Sequence, residues 1–306
     1  MTYKSYSVVL EGVDALDLPI GVLRDLCDFL IEGAQRSARL MAEGRSVARG
    51  AAPGWVVLAA DVHLSRFERG SLDLEIQAPR LVDIAPEIFA QQPLFPAGTD
   101  ADATAVDLFL DAADDAALGR QDSERLDAGV LDVLARAGSL FSRGATRLSF
   151  SRVGNSPVVL DASSTVTIRR LADETPDARV ARVSGVLDTL TASTRAIGLR
   201  LEDGRLLRGF AGQVPLEQLK DLLGRSVVLE GHFTFRPSGE ALRIQVESAE
   251  PARQGDSIWA KLPRVEPSAL RTRPLLAPPI DFDSFFGQWP GDEDDEQLST
   301  ALRELS

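Results

Sequence analysis

The side chains best suited to acid–base, nucleophilic or metal chemistry in this chain are two histidines, one cysteine and a scatter of carboxylates, and spacing does not organise them. His63 and His232 each fall within a stretch that reads as a strand, away from any second ligand or base. Cys27 lies in a helical apolar stripe with Leu23, Leu26 and Leu30, which makes it a buried packing thiol. Asp111, Asp114 and Asp115 meet no metal-ligand spacing and read as a solvated helix face. No Walker loop, dinucleotide glycine pattern, nucleophile elbow or zinc spacing occurs. The expectation is a non-enzymatic protein with no catalytic residues, no cofactor and no metal.

Recognition chemistry is concentrated at the C-terminal end. Phe282, Phe285, Phe286 and Trp289 place four large apolar side chains in eight positions. Pro290-Gly291 punctuates the chain. Asp292 is a good N-cap, and Glu293, Asp294, Asp295 and Glu296 fill a first turn where the helix dipole favours negative charge. Leu298, Ala301, Leu302 and Leu305 then recur at helical spacing. A helix of roughly a dozen residues is marginal alone. The aromatics and the stripe therefore need a surface, either on this chain's own body or in the groove of a partner.

The run from Phe285 to Leu298 resembles the C-terminal tails of bacterial antitoxins that neutralise PIN-domain ribonuclease toxins. The likeness lies in Trp289, in Gly291-Asp292-Glu293, in the acidic pair that follows, and in the short leucine-bearing helix. It covers only the tail. It implies a PIN-type toxin as partner, contacted by Phe282, Phe285, Phe286, Trp289, Leu298, Leu302 and Leu305. Arg303, the tail's one basic residue, is then the side chain available to the toxin's acidic metal site.

The totals bound the rest. With 306 residues the chain is long enough for two domains, and its composition is that of a soluble globular protein. A net charge of −13 argues against a general nucleic-acid or membrane-surface binder. The charge is uneven: from Asp281 on there are eight acids and one arginine, whereas residues 177–250 carry ten acids and ten bases. One cysteine precludes an intrachain disulfide, no apolar run reaches membrane-spanning length, and the first residues lack a signal-peptide pattern. The expected location is the cytoplasm.

Stepwise patterning predicts an α+β domain over 1–176. Ser5 to Glu11 is a strand, followed by a long helix that starts near Pro19 and stops at Gly44. Trp55–Phe67 and Leu72–Ile76 alternate like the arms of a β-hairpin. Thr104–Leu118 and Ser123–Phe141 carry helical stripes, and Thr146–Val153 and Ser164–Leu171 read as strands. This opening resembles uncharacterised bacterial families and brings no activity with it. A polar linker, Ala172 to Asp177, closes the domain.

Residues 177–250 give three strands, a short helix and two strands, with Asp203-Gly204 as a hairpin turn. In order and length this resembles a small OB-like five-stranded barrel. Such barrels commonly bind single-stranded nucleic acid through aromatic platforms and a basic groove. Arg195, Arg200, Arg208, Phe210, Arg236 and Arg243 are the candidates for that alternative function, in which the chain is a nucleic-acid-binding or assembly module. Phe233 and Phe235 alternate with Val227 and Leu229 and read as core. Residues 251–280 hold six prolines and read as an extended tether to the tail over 281–306.

Overall fold

Alternating apolar residues build the first sheet. In the computed structural model, which describes residues 1–14, 18–48, 50–68, 72–89 and 102–265, strand β1 (Tyr3–Glu11) buries Tyr6, Val8 and Leu10 and turns Ser5, Ser7 and Val9 the other way. It sits at the centre of a five-stranded antiparallel sheet of order β2-β3-β1-β4-β5, completed by β2 (His63–Glu68), β3 (Leu72–Pro79), β4 (Arg147–Arg152) and β5 (Val158–Asp161). Leu72, Leu74, Ile76, Leu148, Phe150, Val158 and Leu160 share the buried face with Tyr6, Val8 and Leu10. The protein is thus a mixed α+β chain.

Helices cover that face. The longest, α1 (Ile20–Glu43), starts behind Pro19 and ends at Gly44, whose left-handed φ of 74° lets its N–H donate to the Leu40 carbonyl. Its buried stripe is Val22, Leu26, Phe29, Leu30 and Ala34. Cys27 follows Leu26 by 100° of helical turn and is exposed, contrary to the buried thiol expected. Beside it runs α5 (Ala105–Ala117), opened by a capping box in which Thr104 and Asp107 each accept the other's backbone N–H. Gly33 is the crossing point: a Cβ there would lie 2.4 Å from the ring of buried Phe109.

Three expected elements come out differently. The hairpin arm expected over Trp55–Phe67 is a short helix, α2 (Gly54–Ala59), followed by the strand proper. Pro53 presets its first turn, accepting from Val56 N–H at 2.9 Å, and Val56 and Ala59 face inward while Val57 and Leu58 are exposed. Two four-residue helices follow β3, α3 (Leu81–Ile84) and α4 (Pro86–Phe89). Next, the single helix expected over Ser123–Phe141 is two, α6 (Ala128–Ala135) and α7 (Ala137–Ser142). Ser123 and Arg125 are drawn to Asp115, so the chain turns before Asp127 caps α6 by accepting from Val130 N–H at 2.9 Å. Finally, the strand expected over Ser164–Leu171 is a helix, α8 (Ala162–Glu174), and the missing fifth strand lies just before it. Asp161 and Ser164 form its capping box, and Thr165, Ile168 and Leu171 give it a buried face at three- and four-residue spacing. It runs into the expected polar linker, leaving Thr175 and Pro176 buried rather than solvated.

A closed five-stranded barrel follows. It comprises β6 (Arg179–Thr191), β7 (Ala196–Arg200), β8 (Leu206–Phe210), a helix α9 (Leu216–Leu222), β9 (Ser226–Phe235) and β10 (Ala241–Pro251), joined in the order β10-β8-β7-β6-β9. Antiparallel β6 and β9 close one side, and β8 pairs with β10 in parallel. Val183, Leu187, Ile197, Leu199, Leu229, Phe233, Phe235 and Ile244 fill the interior, with Leu219 and Leu222 of α9 at one end. This core is distinct from that of the sheet and its helices, into which Leu242 of β10 also packs.

The expected tether is docked over its described part. Ala252 N–H donates to the Ser226 carbonyl, a 3-10 turn spans Asp256–Trp259, and the Arg182 guanidinium lies 5.4 Å over the Trp259 ring. Leu262 and Val265 pack on the barrel core, and Val265 N–H donates to the Gly239 carbonyl at 2.9 Å. The rest of that stretch and the whole of the tail lie outside the described residues.

Candidate functional site

Barrel and sheet domain meet at a seam that gathers three of the arginines singled out above. Arg208 on β8, Arg243 on β10 and Arg236, just past the end of β9, all reach Glu124 in the loop between α5 and α6. Arg208 Nη1 lies 3.1 Å from Glu124 Oε2, Arg236 Nη2 3.5 Å from Oε1, and Arg243 Nη2 3.5 Å from Oε2. Backbone bonds tie the same loop down: Arg236 Nη1 donates to the Asp122 carbonyl at 3.2 Å, and Ser238 N–H donates to that of Gln121 at 3.2 Å.

Arg243 is the most deeply placed member, with its side chain 8% exposed. Its Nη1 donates to the Leu242 carbonyl at 3.1 Å. Burial pushes its pKa down to about 10; Glu124 opposes that shift, while Arg208 and Arg236 reinforce it by repulsion. The carbonyl end of α1 abuts the same place. Thr234 Oγ1 donates to the Gly44 carbonyl at 3.1 Å, and a Cβ on Gly44 would lie 3.1 Å from Arg243 Cβ.

Between these parts lies a cavity of ≈ 30 Å³, walled by Met41 of α1, Ile88 of α4, and Thr194, Ala196, Arg208, Phe210 and Arg243 of the barrel. Phe210 is half-buried here. The other two candidate arginines lie elsewhere. Arg195 has a left-handed φ of 60° in the β6–β7 turn and donates to the Val214 carbonyl at 2.9 Å. Arg200 forks onto Asp188 of the neighbouring strand at 3.2 and 2.7 Å.

The acids of α5 are paired rather than simply solvated. Lys4 and Arg152 share Asp107, Arg152 continues to Asp111 at 2.5 Å, and Arg125 links Asp111 to buried Asp115, which also binds Arg120. Tyr6 OH lies 2.6 Å from Thr104 Oγ1 at the head of this chain, and burial beside Asp107 holds the phenol well above its ordinary range. His63 pairs with Asp61 and His232 with Glu247, both exposed. Among the described residues, no three His, Cys, Asp or Glu converge as a metal site. The opposite face of the sheet, with Ser5, Ser7, Asp73, Glu75 and Ser151, is a shallow polar groove.

Phe282, Phe285, Phe286, Trp289, Leu298, Leu302, Arg303 and Leu305 lie outside the described residues. Glu124 is the seam residue that sequence reasoning missed. It sits in an ordinary polar loop, 84 residues from Arg208 and 112 from Arg236. The one local signal was Arg243 itself, a charge between Leu242 and Ile244 in a strand buried on both faces.

No protein-family model, curated protein or solved structure matches this chain.

Proposed function

We propose that this chain is a non-enzymatic, antitoxin-like binding protein of the cytoplasm, whose body carries a C-terminal tail that captures a PIN-type ribonuclease toxin. The observation that carries the reading is the density of aromatic anchors, Phe282, Phe285, Phe286 and Trp289, followed by an acidic, leucine-striped helical segment. Anchors of this kind commonly lose roughly 2 kcal/mol or more on truncation. On this reading the body comprises domains at 1–176 and 177–250, with a tether and then the tail beyond. The second domain is an OB-like barrel, in keeping with its order of three strands, helix and two strands and with a parallel pairing of its third and fifth strands. No described helix is long and apolar enough to cross a membrane.

The nucleic-acid alternative is weakened by the seam. OB-like barrels bind oligonucleotides on the face of their second and third strands. Here Arg208 and Phe210 of the third strand face Met41, Ile88 and Glu124 of the same chain. The test is co-purification of the full chain with the product of the neighbouring gene. Trp289→Ala is expected to weaken capture about 30-fold, and deletion of 281–306 to abolish it, with the melting temperature of the body unchanged. Capture that survives both changes while the body loses stability would sink the proposal.

A further inference from the structure

The seam carries more positive charge than it neutralises. Three guanidinium groups face one carboxylate. The carbonyl end of α1 adds roughly half a negative charge. Arg208 and Arg236 each keep a buried Nε with no hydrogen-bond partner. Buried donors are nearly always paired, and a buried surplus of one sign is costly. Arg208 spends Nη1 on Glu124, so the side edge of its guanidinium, Nε–H with Nη2–H, is the edge that a carboxylate grips in bidentate fashion.

The cavity that Arg208 helps to line has a mixed wall. Arg208, Arg243 and Thr194 are polar; Met41, Ile88 and Phe210 are not. Its ≈ 30 Å³ compares with about 10–15 Å³ for one water, so it admits two or three groups of that size. Space on that scale favours a small ligand over a nucleotide or a sugar phosphate. Inorganic phosphate or sulfate would leave oxygens against the apolar wall. A carboxylate with a stub of one or two carbons matches both the charge and the lining. We infer that the seam between barrel and sheet domain is a binding site for a small monocarboxylate, held by Arg208 and Arg243 with its alkyl end against Met41, Ile88 and Phe210. Neither the tail nor a toxin enters this inference.

The experiment is a thermal melt and calorimetric titration of the full chain with sodium propionate. Acetate, sulfate, phosphate and the neutral propionamide are run at matched ionic strength. Propionate should bind saturably and raise Tm by about 3 °C at tenfold excess over its Kd, with acetate weaker and propionamide inert. Arg208→Gln should weaken binding at least tenfold. Because that change also touches the seam itself, Ala196→Leu serves as the second variant: it fills the cavity, keeps every charge, and should block propionate equally. Equal stabilisation by sulfate or phosphate would mean simple screening of the arginines and would overturn the inference. So would a rise without saturation, or one that survives Ala196→Leu.

Discussion

Glu124 is the residue on which the seam turns, because it is the one carboxylate that three arginines share. Removing one partner of a buried ion pair costs about 3–5 kcal/mol, through the charge left behind. Glu124 is 36% exposed, so solvent screening cuts that figure, and Glu124→Gln is expected to destabilise by about 2 kcal/mol. Urea denaturation at low and at 1 M salt measures it; the loss should shrink as salt screens the orphaned arginines. A variant within about 0.5 kcal/mol of the parent at low salt would refute the assignment. Arginines of this cluster were visible in the sequence, but as candidates for a nucleic acid. Sequence spacing reports neighbours within a few residues, and the carboxylate that engages them arrives from the loop between α5 and α6, 84 residues before Arg208.

At the scale of elements, caps decided what patterning misjudged. Ser164-Thr165-Val166-Thr167-Ile168 is rich in β-branched residues and reads as a strand, yet it is helical. Asp161 settles the matter by accepting from Ser164 N–H at 2.8 Å, and the buried residues then fall at helical spacing. That N–H, with the Ser163 hydroxyl, holds the Asp161 carboxyl below its ordinary range. A folded pKa lowered below the unfolded one means that the stabilisation is complete above about pH 4. It fades as pH falls through the folded value. Asp161→Ala should therefore cost about 1 kcal/mol at pH 7 and less as pH falls through the folded value, read as the difference between two denaturation curves at each pH. A difference that persists undiminished in acid would show that the cap acts by shape and not by charge. By contrast, α1, α5 and the strands of the barrel were legible directly, since long stripes and strict alternation leave little choice of face. The short α2 was not: six residues cannot distinguish the two periods, and Pro53 alone marks the start.

Across the whole molecule, two apolar cores meet at a seam where the Glu124–arginine cluster sits beside apolar contacts of Met41, Ile88, Phe210 and Leu242. Glu124→Gln should loosen the coupling between the two cores, so calorimetry of the variant is expected to resolve two transitions where the parent at low salt shows one; a single sharp transition in both would mean that the cores are cooperative without Glu124. The barrel strands could be read from sequence, but the seam could not, because it depends on how two finished surfaces fit. Its location also has a mechanical side. Val265 is hydrogen-bonded to Gly239, and Arg264 bridges to Glu240, within the β9–β10 hairpin that carries Arg236. Tension on the chain beyond Val265 would thus load that hairpin first, and through Arg236 the grip on Glu124, before either core felt strain. A pull at one end of the polypeptide would be felt as a loosening at its middle.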